Sequence, residues 1–315
     1  MDPFDYAAPS SLDEAIRLLA EADGAARPLA GGTDLIPQLS EGRRRARLVV
    51  DVKNIPELRQ LRFHPAEGLT IGAAVTCAEL AESPVVRQLY PAVADACSLI
   101  GSVLIQHRAS LGGNLANAAP SADGVPPLIV HRAAVRIAGP DGVREMPVED
   151  VCVGPGMTAL APGELIVAFR ISPPPEATSS CYVRFTPRQE MDIAVAGAAA
   201  AVTVDPSTGL CRTAVIALSA VAPTPVRAPE AEAYLAGKPL TDPHLEAAAR
   251  LAVRSAQPIS DVRASADYRR HLVTVVTRRA LLGARNRLAA DGRHGTSPGA
   301  AGPKEGLSGV AEGGR

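Results

Sequence analysis

Two pairs of adjacent glycines constrain this chain more than any other feature: Gly31-Gly32 in "PLAGGTDL" and Gly112-Gly113 in "ASLGGNL". Each pair follows an apolar run and precedes small polar residues. Glycine reaches positive φ and has no Cβ, so successive backbone N–H groups can converge on one point. Such a concave backbone binds phosphate oxygens, and one loop on each side suits a pyrophosphate. Thr33, Ser110 and Asn114 add side-chain donors without bulk. Alone, each pair also reads as an ordinary tight turn. "AGGTDL" is not G-x-G-x-x-G, and no G-x-x-x-x-G-K-[ST] occurs in the chain.

The pattern around the pairs alternates strands and helices. Ser11 to Glu14 has the S-x-x-E form of a capping box and opens a helix with Leu12, Ala15, Ile16 and Leu19 on one face. "RPLA" then leads as a strand into the first glycine pair. "RLVVDV" and "LTIGAAV" read as buried strands, and the chain after Pro84 reads as helical through "VVRQLYPAVADACSLI". "AAVRIAG" and "VREMPV" form a hairpin around Pro140-Asp141-Gly142, and "ELIVAFRIS" alternates as a strand. "SPPPEATSS", Ser172 to Ser180, is the linker candidate. Beyond it come strand-like runs in "CYVRFTPRQEMDIAVAGAAAAVTVD" and "CRTAVIALS". A helix follows with Asp242 as N-cap and Pro243 at its first position, then a long C-terminal helix from "DYRRHL". Strands followed by helices make this half α+β. From Asp291 the composition turns to Gly, Ser, Pro and charge, so 291–315 is expected to be a disordered tail.

Composition excludes several functions. A net charge of -1 over 315 residues argues against a dedicated nucleic-acid binder. The longest apolar stretches, such as Ala194 to Val204, are Ala-rich and interrupted, so no membrane span is expected. The acidic start lacks the order of a secretory signal, which makes the cytoplasm the expected location. Five widely spaced cysteines (Cys77, Cys97, Cys152, Cys181 and Cys211) make neither a disulfide framework nor a cluster- or zinc-binding set. No Ser-His-Asp order, metal-spaced His pair or catalytic Cys emerges. The basic run Gly42 to Arg47 is either a solvated turn or a contact with a partner protein or cofactor phosphate. Asp123, nine residues beyond Asn114, is either a surface or N-cap carboxylate or a partner for a sugar or ribityl hydroxyl.

Taken together, "LAGGTDLIPQL", "IQHRASLGGNLANAAPSAD" and "YVRFTPRQEMDIAVAGAAAAV" resemble, in this order and spacing, the FAD-binding medium subunit of molybdenum hydroxylases, the carbon monoxide dehydrogenase and xanthine dehydrogenase family. Family loops have the form A-G-G-x-(S/T/D)-L and I-R-N-R-(A/G)-(S/T)-(I/L)-G-G-N, then A-x-P-x-x-D. Ala30 to Leu35, Arg108 to Asn114 and Ala118 to Asp123 match them. Gln106-His107 and the two prolines of "DGVPPLIV" depart from the family pattern.

The resemblance implies an α+β chain. Its two-lobed vanillyl-alcohol-oxidase-like FAD-binding domain would span 1–175, with lobes of about 1–54 and 55–175. A smaller α+β domain of the carbon monoxide dehydrogenase flavoprotein C-terminal type would span 180–285. It implies FAD as cofactor, held at the pyrophosphate by Leu29, Ala30, Gly31, Gly32, Thr33, Asp34 and Leu35 and by Ser110, Leu111, Gly112, Gly113 and Asn114. Asp123 would contact a hydroxyl of the sugar or ribityl chain, Ile166 would lie near the flavin, and Arg184 would stand near the ring. The implied partners are a large molybdenum-cofactor subunit and a small subunit with two [2Fe–2S] clusters, in a heterotrimer that dimerises. A stand-alone flavin oxidase and a scaffold that has lost FAD are the competing readings.

Overall fold

The structure is a computed structural model and describes residues 1–290; the expected tail, 291–315, lies outside the described residues. The first unit is a small parallel βαβ layer. It runs β1 (Asp5–Ala7), α1 (Leu12–Glu21), β2 (Ala26–Leu29), α2 (Leu35–Ser40) and β3 (Leu48–Asp51). The strand order is β1-β3-β2, with Ala26 and Asp5 both paired to Leu48. Ser11 caps α1 by accepting from Glu14 N at 3.3 Å, as its spacing predicts. The first glycine pair leaves the carboxyl end of β2, where parallel α/β layers place ligands.

The second unit begins with α3 (Pro56–Arg59), β4 (Leu61–His64) and β5 (Gly68–Gly72). A run of short helices follows: α4 (Cys77–Glu82), α5 (Pro84–Leu89), α6 (Pro91–Leu99), α7 (Val103–Gln106), α8 (Leu111–Ala116) and α9 (Val125–Val130). The strands β6 (Ala134–Gly139), β7 (Gly142–Pro147), β8 (Cys152–Gly154), β9 (Met157–Thr158) and β10 (Leu165–Ile171) close it. The main sheet has the order β4-β5-β10-β6-β7. Its central strand β10 is buried on both faces except at Arg170, unlike the alternation expected from its sequence. The helix expected after Pro84 is two helices. Tyr90 leaves the helical region at φ -132°, and Pro91, which lacks an N–H, starts α6. Tyr90 is fully buried, and its hydroxyl donates to the Ser172 carbonyl at 3.1 Å, which fixes the break.

The third unit is the antiparallel sheet β11 (Thr178–Phe185), β12 (Ala196–Val204), β13 (Cys211–Ser219) and β14 (Val226–Arg227). It is followed by α10 (Pro229–Leu235), α11 (Asp242–Ala252) and α12 (Ala266–Ala290). The linker candidate is shorter than its composition suggests, because β11 already begins at Thr178. The cap of α11 also differs by one residue: Thr241 is the N-cap and Asp242 is the first helical residue. Every residue of β12 is buried. Ala199 and Ala201 join the core of the second unit, whereas Ala196, Ala198, Ala200 and Val202 join a separate core under α12. The period of two sends alternate alanines to two different hydrophobic layers, and small side chains let both layers approach closely.

Ion pairs fasten the third unit to the second. Arg287 of α12 donates to both oxygens of Asp95 on α6 at 2.7 Å and to the Ser180 carbonyl at 2.7 Å. Asp95 also accepts from Tyr182 N at 3.0 Å. All five cysteines are buried and free. Among the described residues no helix is long and apolar enough to cross a membrane, and no group of three or more His, Cys, Asp or Glu is placed to hold a metal ion.

Candidate functional site

A cavity of about 310 Å³ opens between the parallel layer and the helices of the second unit. Ala30 to Leu35 form one wall, and Ala109, Ser110, Gly113 and Asn114 form the facing one. Contact between backbones draws the walls together: a Cβ on Gly31 would lie 1.9 Å from the Arg108 carbonyl oxygen, a position only glycine allows. Gly32 takes φ +75°, the left-handed region that favours glycine. Gln38 donates to Asn117 across the same cleft at 2.9 Å.

The backbone of the first loop has unspent donors. Among the described residues, no recorded hydrogen bond uses the N–H of Gly31, Gly32, Thr33 or Asp34. Four consecutive free donors bordering a concave cavity are suited to an anion, since paired backbone groups are the rule elsewhere. The second loop is more occupied. Ser110, the N-cap of α8, accepts from Gly113 N at 3.2 Å, and Asn114 Oδ1 accepts from Gly124 N at 3.0 Å. The Asn114 amide NH₂ makes no recorded bond and remains a donor. Asp34 precedes α2 without making a side-chain cap bond. Surrounding protein pushes its carboxyl above the usual carboxylate range, against the opposing pull of Arg43 and Arg44.

The two glycines of the second pair play different parts. Gly113 borders the cavity, and a Cβ there would meet only Ser110 Oγ, at 3.4 Å. Gly112 is buried, and a Cβ there would lie 2.4 Å from the Ala73 carbonyl oxygen. Leu111 is likewise a core residue, and Leu29 lies outside the cavity lining.

Asp123, Ile166 and Arg184 do not line this cavity. Ile166 is buried beside the bulge of β10. Asp123 and Arg184 meet one another instead. Asp123 sits seven residues after α8 and Arg184 near the end of β11, and their buried side chains form an ion pair. Tyr182 donates its hydroxyl to Asp123 Oδ1 at 2.6 Å. Burial pushes the Asp123 carboxyl upward, while Arg184 and the Tyr182 hydrogen bond pull it down. Burial and the Asp123 charge together hold the Tyr182 phenol well above its ordinary range. Arg184 Nη2 is buried without a partner, so one guanidinium donor of this cluster is still to be satisfied. Gly197 makes room for the network, because a Cβ there would lie 2.7 Å from the Tyr182 hydroxyl.

Arg27, Gln38, Asn117 and the stretch from Leu160 to Glu164, all on the cavity wall, and Tyr182 were not among the residues expected from the sequence, whereas Arg44 lies in the basic run Gly42 to Arg47 that the sequence offered as a solvated turn or as a contact with a partner protein or cofactor phosphate. Arg27 lies two residues before the first quoted motif and Tyr182 opens the third, so proximity to a motif was the available signal. The 160–164 stretch carried none, because it reaches the cavity only through sheet closure.

A glycine-built cleft with a row of free N–H groups, set between a parallel βαβ layer and a unit whose main sheet is antiparallel, is suited to a phosphate-bearing cofactor. Residues 2–174 match the family model described as the FAD binding domain in molybdopterin dehydrogenase, and residues 182–284 match the CO dehydrogenase flavoprotein C-terminal domain. The chain belongs to this family of FAD-binding dehydrogenase subunits. It is 35% identical over 282 residues to the putative xanthine dehydrogenase FAD-binding subunit XdhB of Escherichia coli (strain K12), covering 88% of this chain and 96% of that protein. It is 36% identical over 278 residues to the carbon monoxide dehydrogenase medium chain of Afipia carboxidovorans, covering 88% and 95%. Reconstituted CO dehydrogenase from Oligotropha carboxidovorans superposes with a TM-score of 0.86 at 35% identity, covering 91% of this chain and 99% of that one. Quinoline 2-oxidoreductase from Pseudomonas putida 86 gives 0.84 at 31% identity, covering 91% and 99%.

Proposed function

We propose that this chain is the FAD-carrying subunit of a three-part molybdenum hydroxylase, with a large molybdenum-cofactor subunit and a small [2Fe–2S] subunit as partners. The observation that carries the reading is the row of unspent N–H groups from Gly31 to Asp34 facing Ser110, Gly113 and Asn114. FAD held here would supply the redox chemistry that takes electrons from the [2Fe–2S] partner and delivers them to an external acceptor.

The chain's own part is binding, placement and electrostatics. In this reading, Leu29 to Leu35 and Ser110 to Asn114 wrap the pyrophosphate, with Leu111 and Gly112 acting from behind as packing that fixes the loop. Asp123 receives a cofactor hydroxyl, and Ile166 borders the cofactor. The unpartnered Nη2 of Arg184 offers a fixed donor and a positive charge to the ring, which favours negative charge developing there. Residues 1–175 would carry the cofactor, in lobes of about 1–54 and 55–175, and residues 180–285 would close over it. Assembly into a heterotrimer that dimerises, in the cytoplasm, belongs to the same proposal.

The test is reconstitution. Purified full-length protein saturated with FAD and then desalted is expected to keep a flavin absorption spectrum, and co-expression with its genomic neighbours is expected to pull down both partners. A desalted protein with no bound flavin overturns the reading.

A further inference from the structure

The basic run from Arg43 to Arg45 is resolved residue by residue in the fold. Arg43 pairs with Glu41 at 2.5 Å, and Arg45 lies 3.7 Å from Asp2 at the surface. Arg44 alone turns inward. Its backbone N–H bonds the Gln38 carbonyl at 3.1 Å, and its half-buried side chain lines the cavity. That side chain makes no hydrogen bond or ion pair among the described residues.

Arg27, on β2 just before the first glycine loop, lines the same cavity. Its Nη1 donates to the carbonyls of Gly24 at 2.6 Å and Ala26 at 2.7 Å, which fixes the guanidinium. Its Nε is buried and has no partner. Burial and the nearby Arg44 charge both lower the Arg27 pKa, which places two like charges in one another's field. Of the carboxylates on this wall, Asp34 feels the Arg44 charge but, among the described residues, makes no ion pair with either arginine. Glu164 is taken by Arg144 at 2.6 Å and by Ala161 N at 2.7 Å.

Two cations that share a cavity, one with an orphaned buried donor, are strained until an anion enters between them. Backbone N–H groups supply only partial charges, whereas a pyrophosphate carries about two negative charges near neutral pH. Guanidinium forks match phosphate oxygens in geometry as well as charge.

We propose that Arg27 and Arg44 form an anion clamp for the phosphates of the dinucleotide, so that this end of the cavity selects a nucleoside diphosphate moiety by charge. The clamp rests on the FAD reading but acts on the phosphates, not on the flavin. It makes cofactor affinity depend on ionic strength, because part of the wall is exposed and screened by salt. The apolar wall beyond, with Leu19, Leu160 and Pro162, then takes the base.

Arg44→Gln is the discriminating variant, since Arg44 has no intramolecular partner whose loss would disturb the fold. Apo full-length protein is titrated with FAD and, separately, with ADP, at low and high salt, with thermal melting as a fold control. The clamp predicts that Arg44→Gln and Arg27→Gln each weaken both ligands by about tenfold or more, the scale of one charge-assisted hydrogen bond, and flatten the salt dependence. It also predicts an unchanged melting temperature for ligand-free Arg44→Gln. FAD and ADP affinities within about twofold of wild type in Arg44→Gln overturn the clamp and leave the FAD reading standing. Wild-type protein that binds ADP through these arginines but not FAD would preserve the clamp and sink the FAD reading.

Discussion

Gly112 and Gly113 are adjacent, chemically identical and both within one helical turn, yet a methyl group added to each meets a different neighbour. At Gly112 it would press on the Ala73 carbonyl oxygen at 2.4 Å, a backbone atom inside the core. Overpacking of that kind costs about 1–3 kcal/mol. At Gly113 it would touch only Ser110 Oγ at 3.4 Å and otherwise project toward the cavity. Gly112→Ala is therefore expected to lower the thermal midpoint. Gly113→Ala is expected to keep the midpoint and to retain less flavin after desalting. Melting curves and flavin-to-protein absorbance ratios read the two effects separately, and a midpoint drop for Gly113→Ala alone would reverse the assignment. The same resolution applies to the run of three arginines, where only the tertiary environment distinguishes Arg44 from its neighbours.

Helix α4 shows how a short element positions a loop that it does not contain. Thr76 and Glu79 form a reciprocal capping box: Glu79 N donates to Thr76 Oγ1 at 3.2 Å and Thr76 N donates to Glu79 Oε2 at 2.8 Å. Thr76 bridges to Ser110, and Cys77 N donates to the Ala109 carbonyl at 2.8 Å. The cap thus anchors the connection between α7 and α8 that brings Ser110 and Gly113 to the cavity. Thr76→Ala removes it at a cost of about 1 kcal/mol. The expected result in urea unfolding is a lower midpoint with an unchanged slope, accompanied by faster hydrogen exchange in residues 109–113. Exchange there at the wild-type rate would separate the cap from the loop.

At the scale of the whole molecule, the sheet of the third unit shares its buried faces with two cores, and a polar seam locks it down. His131 belongs to this seam. Its Nε2 lies 3.0 Å from Ser180 Oγ, and its ring meets the Tyr90 ring edge-on at 5.3 Å. Burial lowers its pKa from 6.5 to about 4. Above pH 6.5 the imidazole is neutral in both folded and unfolded chains, and it adds no pH dependence. Between 6.5 and about 4 the unfolded chain takes the proton and the folded one does not, so stability falls as pH falls through that window. Below it both are protonated and this contribution stops changing. His131→Gln is expected to flatten that part of a stability-against-pH curve, and an unchanged acid slope would remove His131 from the account.

Much of the local structure was legible because it depends on neighbours in sequence. The Ser11 cap, the strand into Gly31 and the 134–147 hairpin follow from local donors, periodicity and turn chemistry. Where the structure differs from these expectations, contacts beyond the local sequence take part. Pro91 interrupts the helix and the Tyr90 bond to Ser172 holds the break in place, while Thr178 extends a sheet into the expected linker. β10 loses its alternation because both faces of its sheet are packed against other layers of the protein. The site divides in the same way. The sequence by itself determined the two glycine loops, since φ > 0 and the missing Cβ are properties of single residues. Only the tertiary structure set Gly31 against Arg108, turned Arg44 inward and brought Asp123 to Arg184 and Tyr182. Those relations join residues far apart in the chain, and packing of three units, not local propensity, fixes the distances between them.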